Sequence, residues 1–318
     1  MADRILITGG SGFIGTHLVS HFEREFEVLS IDLAAPKIAS HNSHWRAVDI
    51  TDADTLRRIV DEFNPHYILH LAARTDLRGK SIDDYAANTV GTRNVLAAAK
   101  ASPSLRKIIV TSSMLVCHVG YQPHHQKDYA ATTFYGESKA EAERLTWEAE
   151  LNCDWAIIRP TSIWGPWFGE PYRNFFDLVK RRAYFHIGHA SCTKTYGYVG
   201  NAVYQIDSLL HADTRAIGNK IFYIGDRPAT NIEEWGDEIA AELHFKIHHI
   251  PLWMVRCAAW TGDMLKKCGI RFPMTSFRLR NMSTDNVIDL ANTYAVAPTP
   301  PYDRLTGVRE TLKWLETH

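Results

Sequence analysis

Short apolar runs alternate with amphipathic stretches over the first half of the chain. Ile5-Leu6-Ile7 reads as the centre of a buried strand at 4–8, and Phe13 to Glu23 carries helical spacing within an expected helix at 12–24. The pattern then predicts strands at 27–32, 45–48, 66–71, 106–112 and 154–158, with helices at 52–63, 83–101 and 134–150. Strands alternating with helices imply a doubly wound α/β fold: a parallel sheet with helices on both faces. In the second half, Lys220 to Gly225 reads as one more sheet strand. Ile232 to Leu243 reads as a helix capped by Asn231, and 305–316 as the last helix. Residues 293–303, with Pro298, Pro300 and Pro301, read as a loop, as does the aromatic, Gly- and Pro-rich segment from Trp164 to Arg173.

Ile250 to Gly269 has an apolar stripe of Leu252, Val255, Ala259 and Leu265 beside Arg256, Asp263 and Lys266. A helix packed on the domain is the preferred reading, because any surface helix shows one such stripe. A helix lying on a membrane surface is the alternative. The expected organisation is a nucleotide-binding domain over 1–166, strands around 195–225 returning to it, and a smaller C-terminal substrate lobe over 167–318.

Thr8-Gly9-Gly10-Ser11-Gly12-Phe13-Ile14-Gly15 follows the first strand directly and opens the first helix. Gly9 and Gly12 leave backbone N–H groups open to a diphosphate, and Gly15 allows close packing of helix on strand. Asp32 ends the second strand about 20 residues on, where a carboxylate can bind an adenosine ribose. Strand, turn, helix, strand and acid come in the order of a Rossmann-type dinucleotide site. Asp32 is followed by Leu33-Ala34-Ala35 and no Arg, which predicts NAD rather than NADP. Gly9, Asp32, Ala72 and Ser113 all fall at carboxyl ends of expected strands, where ligands bind in such sheets.

Tyr135 and Lys139, four residues apart, share one face of a helix, and Ser112-Ser113 closes the strand Ile108-Ile109-Val110. A phenol is a weak base because its free pKa is near 10. A neighbouring ammonium and an oxidised nicotinamide would both favour the phenolate. Ser113, Tyr135 and Lys139 are therefore the expected catalytic set, with Ser113 and Tyr135 also touching substrate.

These motifs resemble the extended short-chain dehydrogenase/reductase superfamily, in particular the NAD-dependent epimerase/dehydratase family. Thr8–Gly15 resembles its TGxxGxxG loop and Tyr135–Lys139 its YxxxK pair. The resemblance is specific over residues 1–166 and fainter beyond. It implies that the cofactor is NAD, held by Gly9, Gly12, Phe13, Ile14, Gly15 and Asp32, with Tyr135 and Lys139. Asp49 and Ile50 would meet the adenine, while Leu71, Ala72 and Ala73 would line the cofactor, together with Asn88, Pro160 and Ile163. It also implies a homodimer formed by the Ala-bearing helices at 83–101 and 134–150.

Departures from the family pattern narrow the chemistry. Met114 and Leu115 stand where dehydrating relatives carry an Asp-Glu pair, and neither can transfer a proton. Cys117-His118 replaces a frequent Tyr-Gly. Lys194 replaces a frequent Arg at the substrate pyrophosphate, losing its bidentate fork. Arg278 and Arg280 are candidate replacement anchors. The resemblance therefore implies a sugar-nucleotide epimerase, acting at C4 through a transient keto intermediate. An NAD-dependent alcohol dehydrogenase of 3β-hydroxysteroid type is the alternative, and a cofactor-sensing scaffold the third.

Composition adds exclusions. The 318 residues are 45% hydrophobic with a formal net charge of −1 and a pI near 7.0, which gives no basis for a nucleic-acid partner. The five Cys are odd in number and show no CxxC, so neither a disulfide framework nor a zinc ribbon is expected. The pairs His124-His125 and His248-His249 lack partner ligands in the pattern, and no metal site is expected. No apolar run approaches 18 residues, so no membrane span is expected, and with no signal-peptide pattern the expected location is cytoplasmic.

Overall fold

The structure, a computed structural model, describes residues 2–188, 192–218, 220–267 and 284–318. Strands β1 (Arg4–Thr8), β2 (Glu27–Asp32), β3 (Trp45–Ala47), β4 (Tyr67–His70), β5 (Lys107–Thr111) and β6 (Asp154–Pro160) lie in one sheet. The short strands β7 (Ser162–Trp164), β8 (His186–Ile187), β9 (Thr193–Lys194) and β10 (Tyr196–Tyr198) lie outside it, and β11 (Lys220–Ile224) returns to its edge. The order is β11-β6-β5-β4-β1-β2-β3, and every pairing in this sheet is parallel. This is the doubly wound Rossmann-type sheet that the alternation predicts.

The period of the strands explains the two-sided core. Ile5 and Ile7 point into one cluster and Leu6 into the other; Ile109 and Ile108 divide in the same way. One face is covered by α1 (Phe13–Phe22) and α6 (Val199–His211), through Leu18, Val19, Phe22, Ile206 and Leu209. The other is covered by α2 (Ala53–Phe63) and α3 (Thr92–Ala101), through Leu56, Ile59, Val95 and Leu96. Helix α4 (Phe134–Glu148) packs beside α3.

The expected helix at 83–101 is broken. A 3₁₀ turn (Ile82–Tyr85) and a π turn (Ala87–Gly91) precede α3. The cause is Asn88, fully buried, whose amide donates to Arg74 O at 3.0 Å and Ser138 Oγ at 2.9 Å while its oxygen accepts from Arg74 N at 2.8 Å. The extra residue of the π turn aims this side chain inward, a feature that often marks functional positions.

The second half also differs in part. The sequence pattern did not single out α5 (Tyr172–Lys180) or α6. Both hang on an aromatic cluster in which Trp164 lies 5.7 Å from Phe176, 5.2 Å from Tyr198 and 5.0 Å from Trp235, centroid to centroid. Trp235 belongs to α8 (Ile232–Glu242), which follows the short helix α7 (Thr214–Ile217) and the two-residue strand β12 (Thr230–Asn231). The expected Asn231 cap is present, its side chain accepting from Glu233 N and Glu234 N. A helix at Ala291–Val296 occupies part of the expected 293–303 loop, fixed where the Thr293 hydroxyl donates to Tyr223 O at 2.6 Å. Helix α9 (Leu252–Lys267), led in by β13 (His249–Ile250), occupies most of the amphipathic stretch, and the last helix runs Arg304–Leu315.

Candidate active site

The glycine loop passes through a space that side chains could not share. Gly9 has φ +76°, and a Cβ there would stand 2.5 Å from Ala72 N; one on Gly15 would stand 2.2 Å from Gly9 O. Gly12 caps α1 without any side-chain hydrogen bond. The first-turn N–H groups of α1, Phe13 and Ile14 among them, have no intrahelical acceptor and suit an anion at the helix N-terminus. Asp32 fixes the loop, with Oδ2 accepting from Ser11 N and Oδ1 from Ala34 N, both at 3.1 Å. Lys37 lies close enough to feel the Asp32 charge; burial lowers its pKa and Asp32 opposes that.

Other cofactor candidates flank this loop. Asp49 accepts from Thr51 N and Oγ1, and the Asn94 amide of α3 donates to Ile50 O and Thr51 O at 3.0 Å. Ile50 is buried against Gly91, where a Cβ would meet its Cδ1 at 2.5 Å. Leu71, Ala72 and Ala73 follow β4, and Ala72 N donates to Thr8 Oγ1 at 3.2 Å. Pro160 ends β6, and Ile163 lies buried on β7. Asn88 spends its whole amide on Arg74 and Ser138, so its side chain ties the segment after β4 to α4.

Ser113, Tyr135 and Lys139 come together at the carboxyl end of β5. Thr133 caps α4, its hydroxyl accepting from Gly136 N at 3.0 Å. Gly136 lets the helix close on the loop after Ser113, because a Cβ there would stand 2.2 Å from Leu115 O. Tyr135 is thereby brought beside Ser113, whose oxygen accepts from Leu115 N at 3.1 Å. Burial pushes the Tyr135 phenol up to about 12, and the nearby Ser113 hydroxyl opposes it. One turn on, Lys139 Nζ donates to Thr111 O at 2.9 Å. Burial lowers its pKa to about 8, with the Glu143 charge opposing. Without cofactor, then, Tyr135 is a neutral phenol.

Glu143, one further turn along α4, was not a candidate from the sequence. Its carboxylate is fully buried and accepts from Arg159 Nε at 2.8 Å, Arg159 Nη2 at 2.7 Å and Ser112 Oγ at 2.5 Å. Arg159 completes its bonding on Tyr223 OH and Gln126 O, both at 2.8 Å. Burial would lower the Arg159 pKa, but the bidentate carboxylate raises it, so Arg159 keeps its charge. An i, i+4 step from Lys139 and a charged residue ending a buried strand were the available signals.

The substrate-side candidates are less gathered. Lys194 ends β9, which is held through Asn286: Asn286 N donates to Thr193 O, and Thr195 N to Asn286 O. The Asn286 side chain then accepts from Gly120 N at 3.0 Å and contacts Met114 Sδ at 3.9 Å, linking β9 to the loop after Ser113. A cavity of ≈ 250 Å³ opens there between Met114, Leu115, His118, Tyr223 and Asn286. Arg278 and Arg280 lie outside the described residues. Among the described residues no three His, Cys, Asp or Glu side chains gather in metal-binding array, and no helix is long and apolar enough to cross a membrane.

The sequence model of the NAD dependent epimerase/dehydratase family matches residues 5–225. An N-acetyl-alpha-D-glucosaminyl-diphospho-ditrans,octacis-undecaprenol 4-epimerase of Escherichia coli O157:H7 is 28% identical, over 100% of this chain and 97% of its own length. A 3 beta-hydroxysteroid dehydrogenase/Delta 5-->4-isomerase of Mycobacterium tuberculosis is 31% identical, over 73% of this chain and 67% of its own. Among solved structures, UDP-glucose 4-epimerase of Thermotoga maritima, with UDP-glucose, superposes with a TM-score of 0.74 at 20% identity, covering 99% of both chains.

Proposed function

The chain belongs to the NAD dependent epimerase/dehydratase family, and from that premise we propose that it is a C4 epimerase of a sugar carried on a diphosphate, in the first place a sugar nucleotide. It is an NAD-dependent enzyme, and the glycine loop fits the cofactor: two positions exclude any Cβ, and the helix N-terminus, without a side-chain cap, would hold the diphosphate. When bound, NAD supplies the acceptor and then the donor of a hydride. The observation that carries the reading is the gathering of Ser113, Tyr135 and Lys139 at the carboxyl end of β5, with no carboxylate at Met114 or Leu115 beside them. Such a site can take a proton from a hydroxyl and return it, but has no adjacent acid for loss of water.

The residues divide the work as follows. Tyr135, as the phenolate that Lys139 and a bound oxidised nicotinamide would favour, accepts the proton of the ring hydroxyl as it becomes a ketone. Ser113 hydrogen-bonds that oxygen and stabilises the charge developing on it. Lys139, held on Thr111 O, brings positive charge toward the phenolate and the nicotinamide ribose. Tyr135 returns its proton once the sugar presents its other face. Lys194 and, from sequence alone, Arg278 and Arg280 are proposed diphosphate contacts within a substrate lobe over 167–318. A homodimer through α3 and α4 is proposed on the family resemblance, with Val90 just before α3 and Phe134 at the start of α4 exposed, and light scattering showing a monomer at micromolar concentration would refute it.

A lipid carrier is the second reading, favoured by the undecaprenol-linked relative that spans the whole chain. Both forms are tested by incubating the purified protein with NAD and, in separate reactions, UDP-sugars, a sugar on a polyprenyl diphosphate or a hydroxysteroid, and following the products by NMR and absorbance at 340 nm. Interconversion of C4 epimers without accumulating NADH is expected, as is tighter binding of NAD than NADP through Asp32. NADH formed in step with oxidation of a hydroxysteroid would establish the dehydrogenase instead.

A further inference from the structure

Helix α9 turns an apolar face to solvent. Its inner side is buried through Val255 and Ala259, and its outer side carries Trp253 and Trp260, each 66% exposed, with Met254 and Met264, each 47% exposed. Trp253, Cys257, Trp260 and Met264 recur at steps of four, three and four, so they form one stripe along the helix. An apolar stripe of this size on the outside of a surface helix marks an interaction site.

The exposed charged groups that lead into the stripe are cationic, and the one acid on α9 itself, Asp263, is partly buried and engaged within the chain. Arg256 is exposed on α9 itself, and Lys246 and His248 lead into it. β13 pairs with β8, which follows the exposed Arg181 and Arg182 at the end of α5, and the Arg182 guanidinium lies 5.2 Å from the Phe245 ring centre. Tryptophan, with an apolar ring and one N–H donor, is the residue that settles at the boundary between headgroups and acyl chains.

We propose that the outer face of α9 docks on an anionic lipid bilayer, Trp253 and Trp260 entering the headgroup boundary and the Arg181, Arg182, Lys246 and Arg256 rim meeting lipid phosphates. The choice of a bilayer rests on the lipid-carrier reading, because a sugar on a long isoprenoid alcohol is presented at a membrane surface. The test uses the whole chain with NAD and no substrate, so that its outcome is separate from that of the epimerase assay.

Co-sedimentation is measured with phosphatidylcholine vesicles with and without phosphatidylglycerol. Binding to the anionic vesicles is expected, weakened by salt, and reduced about tenfold or more in Trp253→Ser/Trp260→Ser. That variant should keep the native circular dichroism and NAD affinity, since both rings are on the surface. Quenching of tryptophan fluorescence by brominated lipid should likewise disappear. The proposal is overturned if the native protein stays in the supernatant or if the double variant sediments equally. It is also overturned if light scattering shows that the stripe joins two copies of the chain, dimeric in the native protein and monomeric in the variant.

Discussion

Helix α4 buries Tyr135, Lys139 and Glu143 at successive four-residue steps, whereas α9 leaves Trp253 and Trp260 two-thirds exposed. In α4 these three hydrophilic groups are inside: Lys139 is bonded to Thr111 O and Glu143 to Arg159, while Tyr135 is buried beside Ser113. In α9 the apolar groups are outside. Each arrangement is locally unfavourable, and each is tolerated for a different reason. Buried polar groups persist when their partners are supplied from within the chain. Exposed apolar groups persist without such partners, and their return comes from contact with something else. The contrast separates the region proposed for chemistry from the region proposed for contact.

The largest test of that contrast is Glu143→Ala. It leaves Arg159 buried beside an empty site and should cost roughly 3–5 kcal/mol of stability, measured by urea unfolding. A loss below about 1 kcal/mol would mean that the pair is not the anchor of α4. Tyr135→Phe keeps the ring and removes the proton acceptor; kcat should fall about 10²-fold or more with NAD affinity little changed. Near-native turnover on the true substrate would remove Tyr135 from the catalytic set.

A further test uses pH. Lys139 titrates near 8 in the folded chain and at its ordinary value, above 10, when unfolded. Between those values the unfolded chain holds the extra proton, so stability from this group rises with pH through that window. Lys139→Met should lack that rise when unfolding is compared at both ends of the window, and an unchanged slope would place the titration elsewhere. The smallest effect is expected at α9. Trp260→Ser alone should alter stability by about 0.5 kcal/mol or less, because the ring is already in water. A loss of several kcal/mol would show that the face is part of the core.

The sheet and the gathering of Ser113, Tyr135 and Lys139 were legible because their signals are local. Ile5-Leu6-Ile7 followed by Gly9, or Tyr135 four residues before Lys139, can be read without knowing what packs nearby. Glu143 and Arg159 were not legible as a pair, since 16 residues separate them and only the fold brings α4 against β6. The same holds for Asn88. Its identity was visible, but its bonds to Arg74 and Ser138 depend on a π turn that no periodicity announces. In the second half, α5 and α6 are held by aromatic contacts between distant elements, and a window of neighbouring residues carries no trace of them.

His70 gives one more consequence. It sits between Thr8 Oγ1 at 2.7 Å and Thr92 Oγ1 at 2.9 Å, and burial, with the Lys139 charge beside it, lowers its pKa to about 3. Across the whole range in which the other histidines change charge, this ring is proton-silent. It joins the glycine loop to α3 as a fixed dipole, so acidification toward pH 5 leaves the electrostatic potential from this position at the sheet edge where it was.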